Sequence, residues 1–128
     1  MSCAIRRIGA PVAALLLMAW ILAACTASAR EKTIAGTYVA VNTASAGLVA
    51  FDARHQDDLV VGAPDEASGK TALAEYRAKR ELAVKAIDAA FRAIATAAVL
   101  EDDQSLAAML AAALIVKQEL QELGVKVP

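Results

Sequence analysis

The chain has 128 residues, which is enough for one domain of modest size. Alanine supplies about a quarter of them and aromatic residues 4%, and because alanine combines high helix propensity with a small volume, this composition favours close-packed helices over a sheet. The formal net charge of −1 is nearly balanced, which excludes the strongly basic surface that would attract nucleic acid or anionic lipid headgroups.

The first 25 residues have the three parts of an export signal. Arg6 and Arg7 form a short basic start, an apolar run follows from Ile8 to Ile21, and Leu22-Ala23-Ala24-Cys25 completes the segment. The apolar run is long enough to enter a translocase but short for a bilayer span of ~20 residues. The residues around the arginine pair fit a twin-arginine signal poorly, so we expect export by the general secretory route.

Leu22-Ala23-Ala24-Cys25 resembles the lipobox of bacterial lipoproteins, in which a branched aliphatic residue and two small residues precede a cysteine. The resemblance implies cleavage between Ala24 and Cys25, transfer of diacylglycerol to the Cys25 thiol, and acylation of the new amino group. Two or three acyl chains anchor a protein stably, whereas one gives only marginal binding. Thr26, where an aspartate would signal retention, implies onward transport to the outer membrane, facing the periplasm, in a Gram-negative cell.

Two other interpretations of the leader stay open. Ala27-Ser28-Ala29 offers the small residues of an ordinary signal-peptide cleavage site, and the leader could also remain uncleaved as a signal anchor. With cleavage before Cys25, residues 1–24 are the signal peptide, 25–30 a lipidated tether and 31–128 the domain.

Loss of residues 1–24 changes both the charge and the thiol content. The mature chain carries 11 basic and 14 acidic side chains, a net charge of −3. Cys3 is removed and Cys25 is modified, so we expect neither a disulfide nor a free thiol, and the domain must be stable through packing alone.

The first predicted helix covers about 31–61. Apolar or small residues recur in steps of three and four, and we expect these to face inward: Ile34, Tyr38, Val41, Ser45, Leu48, Phe51, His55 and Leu59. Gly36 and Gly47 weaken the helix by ~1 kcal/mol each relative to alanine, and a break near Arg54 stays open. Gly62 is expected to form a left-handed cap before Pro64.

The second predicted helix covers about 66–98 and begins near Asp65 or Ser68. Its inward positions are Leu73, Tyr76, Arg80, Ala83, Val84, Ile87, Phe91, Ile94 and Ala98. Three acid–base pairs at a spacing of four residues should stabilise its exposed face by ~0.2–0.5 kcal/mol each. These pairs are Glu75–Lys79, Glu81–Lys85 and Asp88–Arg92.

The third predicted helix covers about 104–123, with Asp103 as its N-cap. We expect its inward residues to be Leu106, Leu110, Ala113, Leu114, Leu120 and Leu123. Gly124 should adopt a left-handed conformation, with Val125 contacting Leu120 as in a Schellman motif. Ser105 to Val116 stands out as the long apolar stretch after the leader, and at 12 residues it is too short to span a bilayer.

Short connections between three helices predict an all-α fold, an antiparallel three-helix bundle. The residues that could carry chemistry are few. His55 shares a stripe with Phe51 and Leu59, which favours a packing role, and a zinc site would need more nitrogen or sulfur ligands than the chain offers. We therefore expect no metal site, no cofactor and no catalytic residue.

Other polar groups have a structural interpretation beside a functional one. The acidic residues Asp57, Asp58, Asp65 and Glu66, and again Glu101-Asp102-Asp103, could attract calcium, but they do not match an EF-hand and suit helix caps. Gly69-Lys70-Thr71 lacks the upstream glycine of a phosphate-binding loop. A surface that combines Tyr38, Tyr76, Arg77, Lys79 and Arg80 could bind a partner, although a core tyrosine beside a solvated face explains these residues too.

These patterns predict a lipid-anchored, non-enzymatic envelope protein whose small helical bundle contacts another envelope protein or a second copy of itself. Nucleic acid is not an expected partner. Two alternatives stay open. One is a membrane-tethered carrier of a small ligand or metal in a crevice between helices. The other is an accessory of phage or prophage origin acting in lysis or exclusion, although lysis spanins tend to be richer in proline than this chain is after the leader.

Overall fold

The computed structural model describes residues 28–128, and within that range the chain folds into three helices without a strand. We name them α1 (Ala29–Val61), α2 (Glu66–Val99) and α3 (Asp103–Leu123). Each helix contacts both of the others, which confirms the predicted all-α three-helix bundle. Thr33–Pro128 form one compact unit.

Helix α1 begins two residues before the predicted start because Ser28 and Glu31 form a capping box. The Ser28 N–H donates to Glu31 Oε2 at 2.8 Å, and the Glu31 N–H donates to Ser28 Oγ at 3.2 Å. These reciprocal bonds satisfy two backbone donors that a helix start otherwise leaves without partners. The helix then continues without a break through Gly36, Gly47 and Arg54 to Val61.

The turn between α1 and α2 differs from the prediction at Gly62. This glycine does not have a positive φ. Its N–H donates to Asp58 O at 2.9 Å, which extends the helical hydrogen bonding by one residue. Asp65 then serves as the N-cap of α2 and accepts from the Ser68 N–H at 2.7 Å. Proline at position 64 fits this non-helical connection, since it lacks the N–H that a helix interior needs.

Helix α3 is capped at both ends, though its N-cap is one residue earlier than predicted. Asp102 accepts from the Ser105 N–H at 2.6 Å, and Asp103 is the first helical residue. Gly124 has a φ of 88°, and the Gly124 and Val125 N–H groups donate to Gln121 O and Leu120 O at 3.0 and 2.9 Å. This arrangement confirms the predicted Schellman motif.

The core combines larger side chains from all three helices with a stripe of alanines from α2. Ala83, Ala90 and Ala97 are 0% exposed and recur every seven residues. Because they project only a methyl group, the backbone of α2 can lie close to its neighbours. The largest fully buried side chains are Met109, Leu120, Val41 and Val116.

Several predicted inward positions are exposed instead. Tyr38, Leu110 and Leu114 are 50%, 47% and 57% exposed, and Ala98 is exposed while Ala97 is buried. On α3 the inward stripe runs through Met109 and Val116, neither of which was predicted to face inward. Leu110 and Leu114 lie beside that stripe on the outer surface, where continued leucine spacing misled the sequence prediction.

Helix α1, unlike the other helices of the described region, is long and apolar enough to cross a membrane, judged by length and composition alone. Residues 33–51 contain no charged side chain, so they form a longer uncharged stretch than the one predicted at 105–116. A core helix of a water-soluble domain can meet the same criterion. In this bundle, Val41 and Leu48 of α1 are buried in the core.

Candidate functional site

The predicted modification residues, Cys25 and Ala24, lie outside the described residues 28–128. Inside this range, a polar cluster joins α1 to α2. It consists of Asp52, Gln56, Tyr76 and Arg80, and we call it the Asp52 cluster. Tyr76 and Arg80 belonged to the predicted inward stripe of α2, whereas Asp52 and Gln56 were not singled out from the sequence.

Asp52 Oδ1 is the centre of this cluster. The Tyr76 hydroxyl donates to it at 2.8 Å and the Gln56 Nε2 donates to it at 2.9 Å. Arg80 Nε lies 2.9 Å from the same oxygen, but its N–H is not aimed well enough for a directed hydrogen bond, so this contact is an ion pair. One carboxylate oxygen therefore links one turn of α1 to two successive turns of α2.

The surroundings fix the protonation states of Asp52 and Tyr76. Partial burial alone would raise the pKa of Asp52, but hydrogen bonds from Gln56 and Tyr76 and the charge of Arg80 together lower it below its ordinary value. Burial, followed by the hydrogen bond to the Asp52 carboxylate, raises the pKa of Tyr76 to about 12. At neutral pH the pair is therefore a carboxylate that accepts from a neutral phenol.

His55 packs between two aromatic rings beside this cluster. Its ring stacks on Phe51 with centroids 4.6 Å apart and planes at 25°, and its centroid lies 4.9 Å from that of Tyr76. These contacts confirm the packing role that the shared stripe with Phe51 predicted. The half-buried imidazole also lines two clefts, one on each side of the aromatic stack.

The larger of these clefts lies between α1 and the C-terminal end of α3, and its volume is about 430 Å³. Phe51 and Val125 provide apolar surface, while Arg54, Lys126 and Asp58 contribute charges. Two cations and one carboxylate beside an aromatic ring could hold a small amphipathic anion. The volume lies within the range of small-ligand sites.

The predicted tyrosine and basic surface is not assembled as one site. Tyr76 and Arg80 are turned toward Asp52, while Arg77 and Lys79 are exposed. Tyr38 lies more than three helical turns before Asp52 on α1. Its ring meets the edge of the Phe91 ring there, with centroids 5.9 Å apart. The tyrosines therefore belong to two separate contacts between α1 and α2.

Two of the acidic residues named from the sequence, Asp65 and Asp102, serve as helix caps. Hydrogen bonds from Ser68 lower the pKa of Asp65, because they outweigh the small opposing effect of burial. Asp102 caps α3. No three histidine, cysteine, aspartate or glutamate side chains of residues 28–128 are grouped as a metal site would need. Gly69, Lys70 and Thr71 lie within the first turns of α2 rather than in a loop.

The predicted charge pairs of α2 form only in part. Glu81 and Lys85 approach to 2.7 Å, and Glu66 with Lys70, which was not predicted, to 2.6 Å. The pairs Glu75–Lys79 and Asp88–Arg92 are not within ion-pairing distance in this structure of residues 28–128. All these side chains are exposed, so each pair contributes little to stability.

The Asp52 cluster could have been found from the sequence by one signal. Asp52 follows Leu48 by four residues and therefore lies on the predicted inward stripe, where an unpaired charge would be costly. A partner on the facing helix was thus to be expected.

Compared with protein-family models, with curated proteins and with solved structures, the chain has no match in any of the three.

Proposed function

We propose that this chain is a lipid-anchored protein of the bacterial cell envelope, held by acyl chains on Cys25 and presenting its helical bundle as a non-enzymatic interaction module. The observation that carries the proposal is Leu22-Ala23-Ala24-Cys25 at the end of a basic and apolar leader. Three residues separate Cys25 from Ala29, where α1 begins. This short linker supports the proposal, since it would keep the bundle close to the membrane.

The chemistry of the Asp52 cluster supports a structural role over a catalytic one. Its carboxylate, phenol and guanidinium groups are engaged with one another. A general acid or base works best with a pKa near the working pH, whereas the pKa of Asp52 is lowered and that of Tyr76 is raised to about 12. We infer that the cluster fixes the position of α1 against α2.

A lipid anchor accounts for the structure better than insertion of α1 into the bilayer. If α1 crossed the membrane, Val41 and Leu48 would leave the core, and Asp52 would be separated from Tyr76 and Arg80. The core side chains of α2 and α3 would then be exposed to water. This exposure would cost several kcal/mol, because each fully buried aliphatic side chain stabilises the fold by ~1.5–3 kcal/mol.

Metabolic labelling with an alkynyl fatty acid tests the proposal in the producing bacterium. We expect the wild-type chain and a Cys3→Ala variant to incorporate the label and the Cys25→Ala variant to lose it. Cys3→Ala is the matched control, because it removes the other cysteine, which lies in the leader. Label retained in Cys25→Ala, or absent from the wild type, would contradict the proposal.

The cleft beside Phe51 favours a second candidate function, a tethered carrier of a small amphipathic ligand. Native mass spectrometry of protein purified from its source would then detect one bound small molecule per chain. An Ala50→Trp substitution, which fills the cleft, should abolish the bound mass. Ala53→Trp, also exposed on α1 but not lining the cleft, is the control and should retain it. No bound mass in the wild type would eliminate this candidate.

A further inference from the structure

Charge is distributed unequally around the bundle. Helix α2 carries ten charged side chains, whereas residues 33–51 of α1 and 104–116 of α3 carry none. Most of the α2 charges are exposed, so this helix is suited to contact with water. The surfaces of α1 and α3 are suited to a less polar environment over about 28 Å and 20 Å of helix respectively, at 1.5 Å per residue.

The uncharged parts of α1 and α3 lie side by side on one face. The two helices run in the same direction, and Ala40 and Val41 share a groove with Ala113 and Val116. Lys117 lines this groove just beyond the uncharged part of α3, together with the C-terminal residues Val127 and Pro128. The residues outward of this groove on both helices are all exposed. We call them the α1–α3 face: Gly36, Val39, Thr43, Ala46, Ala50, Ala107, Leu110 and Leu114.

The length of the preceding chain limits how far this face can lie from a membrane. Four residue steps join Cys25 to Ala29, where α1 begins, and an extended chain reaches at most ~3.5 Å per step, or about 14 Å in all. This limit is smaller than the length of α1, which is about 50 Å at 1.5 Å per residue. The tether therefore holds the N-terminal end of α1 close to the bilayer, and tilting about that end brings the long side of the bundle into contact with the membrane.

We propose that the α1–α3 face rests on the surface of the bilayer that holds the lipid anchor. The inference depends on the proposed function, because the acyl chains on Cys25 bring the face to the membrane. Only Val39, Leu110 and Leu114 on the face have large aliphatic side chains. Such a face is too weak to recruit the protein alone, but the tether makes its contact with lipid an intramolecular event.

The same composition argues against a second copy as the occupant. A stable interface between two proteins buries ~1,200 Å² or more in total. Three partly exposed aliphatic side chains, with alanine, glycine and threonine around them, provide little area for such an interface. The uncharged surface needs no charged partner and can lie at the boundary between the lipid headgroups and the acyl chains.

Two single-cysteine variants test the orientation in the full-length, acylated protein reconstituted into phosphatidylcholine vesicles. Leu114→Cys places a thiol on the α1–α3 face, and Leu82→Cys places one on α2. The two leucines are matched in exposure, at 57% and 53%. Each variant is labelled with a small fluorophore, and its quenching by a nitroxide attached to the lipid chains is compared with quenching by water-soluble iodide.

We expect the lipid-borne nitroxide to quench the label at position 114 about twofold more strongly than the label at position 82, and iodide to show the reverse order. Leu110→Cys, also on the α1–α3 face and 47% exposed, repeats the measurement if Leu114→Cys loses helical structure. Intact mass of the same sample reports acylation of Cys25 separately.

The possible outcomes separate this inference from the anchor. If Cys25 is acylated and both labels are equally open to iodide, the orientation is wrong and the anchor stands. If the label at 114 is shielded from iodide but not quenched from the lipid, protein covers the face and the inference is also overturned. If Cys25 carries no acyl chain, the anchor and the orientation are rejected together.

Discussion

Helices α1 and α2 are nearly equal in length, at 33 and 34 residues, yet they have opposite outer surfaces. α2 buries alanines together with Tyr76, Ile87 and Ile94 and exposes charges. The middle of α1 instead exposes alanine, valine and threonine as readily as it buries them. The contrast teaches that inward packing alone does not explain α1. An uncharged outer face over five turns points to contact with an apolar environment, and the lipid anchor that we propose at Cys25 would supply one.

The largest expected effect distinguishes the core of α3 from its outer surface. Leu120→Ala should lower the free energy of unfolding by ~2–5 kcal/mol, because Leu120 is 0% exposed and its loss leaves a cavity. Leu110→Ala, a control on the same helix at 47% exposure, should cost less than ~1 kcal/mol. Urea unfolding measures both. Equal costs would mean that Leu110 is buried, and the contrast between inner and outer faces would fail.

A second effect tests the contact that holds α1 against α2. Asp52→Ala leaves the Tyr76 hydroxyl and the Arg80 guanidinium without their acceptor, so we expect a loss of ~1–3 kcal/mol, moderated by partial exposure of the ion pair. Asp57→Ala, exposed on the same helix, should change stability by less than ~0.5 kcal/mol. If Asp52→Ala lowers the free energy of unfolding no more than Asp57→Ala does, the Asp52 cluster does not hold α1 against α2.

The Asp52 cluster also gives stability a dependence on pH. The pKa of Asp52 is lowered on folding, so its contribution is present above its unfolded value and is lost as the pH falls through the lower folded pKa. The pKa of Tyr76 is raised from 10.0 to about 12, so its contribution is present below pH 10 and is lost as the pH rises toward 12. Urea titrations of wild type and Tyr76→Phe between pH 9 and 12 measure this. The variant should lack the alkaline loss, and an identical loss in both proteins would assign it to other groups.

A third effect concerns which aspartate begins α3. Asp102→Ala removes the acceptor of the Ser105 N–H and should cost ~0.5–2 kcal/mol. Asp103→Ala, which removes the neighbouring carboxylate from the first turn, should cost less, on the order of 0.3–1 kcal/mol. Thermal unfolding of the two variants ranks them. The reverse order would restore Asp103 as the cap that the sequence alone predicted.

The smallest expected effect examines the outer face of α1 directly. A Cβ atom at Gly36 would meet nothing within 4 Å, so Gly36→Ala should stabilise the helix by up to ~1 kcal/mol. Gly124→Ala is the opposing control, because Gly124 has a φ of 88° and an alanine there would be strained. Destabilisation by Gly36→Ala in circular dichroism melts would indicate that something packs closely on this face.

The sequence was sufficient to predict the three helices, because helical spacing, Pro64, the acidic N-caps and Gly124 act locally. It did not predict the exact inward stripe of α3, since leucines at 106, 110 and 114 continue the spacing while packing selects Met109 and Val116. The Asp52 cluster depends on how α1 and α2 align, and that alignment comes from long-range contacts. Cys25, whose signal is a local motif, is predicted from the sequence alone.

The intact mass of the mature protein, extracted from membranes of the producing cell, tests the lipid anchor on Cys25 most directly. We predict a chain that begins at Cys25 and carries diacylglycerol on the thiol, with a further acyl chain on the amino group. A mature chain that begins elsewhere, or a Cys25 of unmodified mass, would contradict the account.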